Sequence, residues 1–164
     1  MIKKVAATAL ILTFLLTSMS FLESEIETEI ETKTETTVEK HTITIQVKGF
    51  KNSNGQIALA LYNNKNQYTD NPWKNFHALK STAVNGIVTF TLDSIDSGRY
   101  AITFLDDENN NKKMDYSFWG LPQEGFGFSN NVKPGFLSAP TYEKCTFDLN
   151  TDKNITLNVQ YWSE

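Results

Sequence analysis

The stretch that decides the fold is HTITIQVK (residues 41–48), followed across Asn52-Ser53-Asn54-Gly55 by QIALAL (residues 56–61). Ile43, Ile45 and Val47 alternate with Thr42, Thr44, Gln46 and Lys48, and Ile57, Leu59 and Leu61 resume the same period after the turn. A period of two puts successive side chains on opposite faces of a strand, so these segments read as strands with one apolar face each. Gly55 supplies the freedom a tight turn needs, and the pair reads as a hairpin.

The rhythm continues outward from there. Asn85-Gly86 precedes Val88, Phe90 and Leu92, and Asp96-Ser97-Gly98 turns the chain into Tyr100, Ile102 and Phe104. Near the end, Cys145, Phe147 and Leu149 share one apolar face, and Asn150 to Asn154 leads to Ile155, Leu157, Val159 and Tyr161. Short strands, turn residues between them and the absence of a long helical period indicate an all-β antiparallel sandwich of six to seven strands. Residues 41–164 are long enough to build such a core without disulfides. The single cysteine, Cys145, has no internal partner and reads as a buried thiol.

Two segments break the rhythm. Asn63 to Ala83 reads as a loop with one helical turn near Trp73 to Leu79, and Asp106 to Thr141 reads as one long irregular loop. Loops of that length in small domains usually bind something or lack order. The aromatic residues Tyr116, Phe118, Trp119, Phe126, Phe128 and Phe136 argue for order, so this loop is where a site is expected.

The first 40 residues belong to a different regime. Lys3 and Lys4, then the apolar run Val5 to Leu16, then Ser18 and Ser20 form the pattern of a cleavable export signal over residues 1–20. Its apolar core is short for a membrane span, and the alternative is an uncleaved N-terminal anchor. Residues 21–40 form a Glu/Thr-rich linker, with seven glutamates and five threonines between Glu23 and Lys40. Such a composition buries too little surface to order itself and is expected to be a disordered tether. Without Lys3, Lys4, Lys33, Lys40 and those seven glutamates, 11 basic and 12 acidic residues remain, a net charge of −1 for residues 41–164. A near-neutral domain carries no electrostatic footprint for nucleic acid, and no membrane insertion of the mature chain is expected. The expected location is periplasmic or extracellular.

The long loop opens with Asp107-x-Asn109-x-Asn111-x-Lys113-x-Asp115. Oxygen-bearing side chains at alternate positions, with a backbone carbonyl at Lys113, match the first nine positions of a calcium loop. Asp107, Asn109, Asn111, Lys113 and Asp115 are therefore candidate Ca²⁺ ligands. Lys112 stands where such loops turn on glycine, and Phe118 where they carry a bidentate carboxylate, which is missing unless Glu124 or another residue supplies it. The competing reading is a connection in which Asx side chains cap their own backbone. Farther on, Trp119, Glu124, Phe126 and Phe128 lie among glycines as a candidate ligand-facing loop. Its aromatics form either a stacking platform or, the commoner use, a plug at an open end of the sandwich.

The runs Gly98-Arg99-Tyr100-Ala101, Asp107 to Asn111, Met114-Asp115 and Gly120-Leu121-Pro122-Gln123-Glu124-Gly125-Phe126-Gly127-Phe128-Ser129 resemble a family of exported bacterial proteins known only as a domain of unknown function. The resemblance covers about residues 43–161. It implies an exported prealbumin-like or immunoglobulin-like β-sandwich with no assigned activity. Asp106 and Lys112 depart from the family pattern, which has His and Gly there.

Three functions follow as expectations. The first is a non-catalytic exported module, calcium-stabilised in the 106–115 loop, that binds a cell-envelope protein or glycan. The second is a self-associating envelope subunit that pairs through its sheet edges. The third is a hydrolase using a carboxylate pair such as Asp107 and Glu124. No catalytic residues are assigned: the two histidines, His41 and His77, lie in unrelated segments.

Overall fold

The computed structural model describes residues 38–136 and 138–162, so the expected export signal (residues 1–20) and nearly all of the expected linker (residues 21–40) lie outside the described residues. The described chain forms two sheets. The smaller has the order β4-β1-β8, and the larger has β3-β2-β5-β6, with β7 also pairing with β5. The strands are β1 (Lys40–Lys48), β2 (Gln56–Tyr62), β3 (Lys74–Leu79), β4 (Ile87–Asp96), β5 (Gly98–Asp107), β6 (Gly125–Phe128), β7 (Thr146–Leu149) and β8 (Lys153–Asn158). The core between the sheets takes Ile43, Ile45 and Val47 from β1 and Val88, Phe90 and Leu92 from β4. The opposite sheet meets them with Ile57, Leu59 and Leu61 from β2 and Tyr100, Ile102 and Phe104 from β5. These are the residues whose alternation marks the strands, and the all-β sandwich stands.

The pairing differs from the simplest reading in instructive ways. β1 and β2 do not form a hairpin: β1 pairs with β4 and β8, whereas β2 pairs with β3 and β5. Both strands need their apolar face in the same core, and the connection from Gly49 to Gly55 carries the chain from one sheet to the other. The turn at Ser97 makes the same crossing between β4 and β5. β8 arrives from β7 on the larger sheet and runs parallel to β1, the one parallel pairing among the described strands.

Two strands come from segments expected to be loop. β3 replaces the expected helical turn near Trp73 to Leu79. Phe76 and Ala78 face inward, as does Lys80 just beyond, whereas Leu79 is 53% exposed and Lys80 only 1%. An inward lysine beside an outward leucine inverts the usual pattern and hides the period. β6 lies inside the long loop, where Gly125 and Gly127 occupy the inward positions of the strand. Eight strands result. Cys145 is buried, but in a helical turn, α1 (Tyr142–Cys145), and it packs on the outer face of the large sheet rather than in the strand face expected with Phe147 and Leu149.

Gly55 fixes where β2 starts against the end of β5. Its φ is +76°, and a Cβ there would fall 1.9 Å from the carbonyl oxygen of Asp107. Gly55→Ala should therefore lower the unfolding free energy by about 2 kcal/mol or more, from the left-handed backbone and the overlap together. Urea denaturation checks this, and a loss within about 0.5 kcal/mol would show that the two chain segments separate without cost.

Candidate functional site

Alternation along β5 sends its two terminal aspartates to opposite faces. Asp106 shares parity with Ile102 and Phe104 and points toward the core; Asp107 shares parity with Ala101 and Thr103 and points to the outer face. Both are fully buried. Asp107 pairs in register with Gln56, whose Nε2 donates to Oδ2 at 2.7 Å. The same carboxylate accepts the backbone N–H groups of Asn111 and Lys112, each at 3.0 Å.

The loop beyond repeats this motif on a smaller scale. Asn109 Oδ1 accepts from the N–H of Asn111 at 3.0 Å, and Asn111 Oδ1 from that of Lys113 at 2.8 Å. Asn110 and Lys112 take positive φ, +61° and +63°, so the chain turns at Lys112 where calcium loops carry glycine. The amides of both Asn109 and Asn111 donate to the carboxylate of Asp115, from 2.6 to 3.2 Å. Of the candidate ligands, Asp107, Asn109, Asn111 and Asp115 are thus joined in one hydrogen-bonded turn. Lys113 enters it by its N–H.

Glu124 closes the turn from outside. Its Oε1 accepts the N–H of Glu108 at 3.0 Å and its Oε2 the N–H of Asp115 at 3.1 Å, so one carboxylate bridges both ends of the loop. It is 5% exposed, and burial pushes its pKa up. The two N–H donors pull the value down, and the charges of Asp115 and Asp107 add to the rise. Asn52 donates to Glu108 at 2.8 Å and ties the β1–β2 connection to the same place. Among the described residues, no group of three or more His, Cys, Asp or Glu side chains is arranged to hold a metal ion.

The segment after this turn folds back across the outer face of the large sheet. Small residues on that face, Ala60 and Ala101, leave room, and Phe126 and Phe128 pack there with Tyr62 and Cys145 as a second apolar cluster. Phe126 and Phe128 thus cover the outer sheet face; they do not plug an end of the sandwich. Between this floor and the loop lies a groove of about 420 Å³. Phe126 and Phe128 line it from β6, Met114, Tyr116 and Trp119 from the loop before that strand, and Pro134 and Trp162 from later segments. None of its lining residues carries a formal charge. Trp119 is 80% exposed at the rim. Of the candidate ligand-facing residues, Trp119, Phe126 and Phe128 meet at this groove; Glu124 does not line it. Trp162 and Pro134 were not legible as site residues, because each lies outside any motif in the sequence.

His41 and His77 sit on different sheets. His41 contacts Ser97 at 2.7 Å, and His77 is exposed on β3.

The fold and site define an all-β sandwich module with a carboxylate-tied loop roofing an uncharged aromatic groove. The chain belongs to a family described as an uncharacterized protein conserved in bacteria (DUF2141), which matches residues 45–158. No curated protein and no solved structure matches the chain.

Glu124→Ala leaves two partly buried N–H groups without an acceptor and should cost about 1–3 kcal/mol in urea denaturation. The sign of its pH dependence follows from the raised pKa. The native carboxyl holds its proton to higher pH than the unfolded chain, so its contribution is fullest below the unfolded value of 4.5 and declines as pH rises through the folded value. The stability gap between wild type and Glu124→Ala should therefore narrow as pH rises from the unfolded value of 4.5 through the higher folded value. A gap that widens would mean the ionised form is the one the loop favours.

Proposed function

We propose that the chain is an exported, non-catalytic binding module, and that the groove under the 108–124 loop takes an uncharged glycan of the cell envelope by stacking on aromatic rings. The observation that carries this reading is the groove itself. Its volume falls in the range of small-ligand sites, its lining is uncharged, and two of its lining aromatics, Trp119 and Tyr116, are exposed. Export rests on the basic and apolar pattern of residues 1–20. The non-catalytic reading is supported by the two acids that a hydrolase would need. Asp107 and Glu124 both spend their oxygens on backbone N–H groups, and neither lines the groove. The test is a titration of the purified full chain with neutral polysaccharides, read by tryptophan fluorescence. A saturable change is expected, with affinity about tenfold weaker in Trp119→Ala. No response across the panel contradicts the proposal.

Calcium is the second element of this reading. Asp107, Asn109, Asn111, Asp115 and the Lys113 carbonyl supply hard oxygens at the spacing of a weak extracellular-type site. To take the ion, the amides of Asn109 and Asn111 would turn their oxygens inward and release Asp115. Thermal melts in about 5 mM Ca²⁺ against EDTA are expected to differ by about 3–6 °C, the calcium sample being the more stable. Superimposable melts would remove the ion and leave hydrogen bonds as the only closure of the loop.

A further inference from the structure

β3 and β5 are not neighbours, since β2 runs between them. The side chain of Lys80, from the turn that follows β3, nonetheless passes over β2 and sets its Nζ 2.5 Å from Oδ1 of Asp106, with both side chains wholly buried. Oδ1 is buried without a hydrogen-bond partner, so the amine and the carboxyl group are in close contact and no hydrogen bond joins them. The other carboxyl oxygen, Oδ2, accepts from the Tyr161 hydroxyl at 2.6 Å.

The surroundings hold these groups in place. Tyr161 itself accepts the N–H of Lys51 at 2.9 Å. Asn52 Oδ1 lies 3.4 Å from the Lys80 Nζ, and the Phe50 ring lies 5.7 Å from it. Gly125 sits opposite Asp106 in the β5–β6 register, and a Cβ there would come within 2.9 Å of the Tyr161 ring. The missing side chain of Gly125 is what admits the phenol to the carboxyl group.

A primary amine is thus pressed against a carboxyl group in a site closed to water, with an O–H donor on the second oxygen. Each feature favours amide formation. The reactants are held together by the fold, the donor faces the oxygen where negative charge develops, and no solvent competes. An ion pair in such a place carries a desolvation penalty that a neutral amide does not.

The geometry points to an intramolecular amide bond between Lys80 and Asp106. The Nζ–Cγ bond forms and the Cγ–Oδ1 bond breaks. Two of the three ammonium protons leave with Oδ1 as water, and the opposite charges disappear together. Oδ2 becomes the amide oxygen and keeps its hydrogen bond from Tyr161. No oxidant, cofactor or second substrate enters the balance. The bond staples the end of β3 to the end of β5 across β2, at the root of the loop that roofs the groove. Tyr161 is a positioning residue for the carboxyl oxygen, and Lys80 and Asp106 are the reacting pair.

Mass-spectrometric peptide mapping of the purified, denatured full chain tests this. The expected result is no tryptic cut after Lys80 and a branched peptide joining the Lys80 and Asp106 segments, lighter than their sum by one water. Asp106→Asn is expected to give the same branched peptide with ammonia as the leaving group, and Asp106→Ala two linear peptides. Tyr161→Phe is expected to slow formation, read as a larger unlinked fraction at early times after synthesis. Wild-type chain that yields only linear peptides cut after Lys80 overturns the inference, as does a link that persists in Asp106→Ala.

Discussion

Strand β5 is covered on both faces, and most of the molecule is arranged to meet that requirement. Its inner face, Tyr100, Ile102 and Phe104, joins the core between the sheets, and its outer face, with Ala101, lies under a second apolar cluster. A strand in a two-layer sandwich normally leaves its outer face to water. Here that face carries apolar surface, so it must be covered, and the 108–124 loop, Phe126 and Phe128 of β6, and Tyr142 and Cys145 of α1 supply the cover. The aromatic groove is the space left between the strand and its cover.

The end of β5 is where the two layers are joined. Successive side chains of a strand point to opposite faces, so two adjacent aspartates serve opposite partners. Asp106 enters the interior against Lys80 and Tyr161, while Asp107 gathers the first turn of the covering loop. Glu124, placed just before β6, returns to the same spot and bridges both ends of that turn. Three carboxylates within one small region would repel one another if left bare. Each is instead met by partners: the Lys80 amine in close contact and a phenol donor for Asp106, an amide and two N–H groups for Asp107, and two N–H groups for Glu124. The carboxylates are therefore structural anchors of the loop, which leaves recognition to the uncharged groove beyond.

The strands with apolar alternation were legible in the sequence because Ile43, Ile45, Val47, Ile57, Leu59 and Leu61 obey a single physical rule. Their pairing was not, because a period of two says which residues face the core and nothing about which sheet holds the strand. β3 was hidden by the inward Lys80 and the outward Leu79, and β6 by glycines at the inward positions. The Asp/Asn turn was legible from spacing alone, as Asx side chains act on backbone two to five residues away. Glu124 stood out only as a stand-in for a missing ligand; its bridge between Glu108 and Asp115 depends on a chain reversal that no local pattern encodes. The Lys80–Asp106–Tyr161 contact joins three distant segments, and only the fold brings it into view.

The covering loop is a fixed part of the sandwich, held at the end of β5 by Asp107 and Glu124. Native-state amide hydrogen exchange measures this directly at Glu108, Asn111, Lys112 and Asp115, whose N–H groups these two carboxylates accept. Protection at these four amides should approach that of β6, and it should collapse in Glu124→Ala while the core strands β1 and β4 stay protected. Exchange at all four amides at the rate of an unstructured chain in the wild-type protein would contradict it.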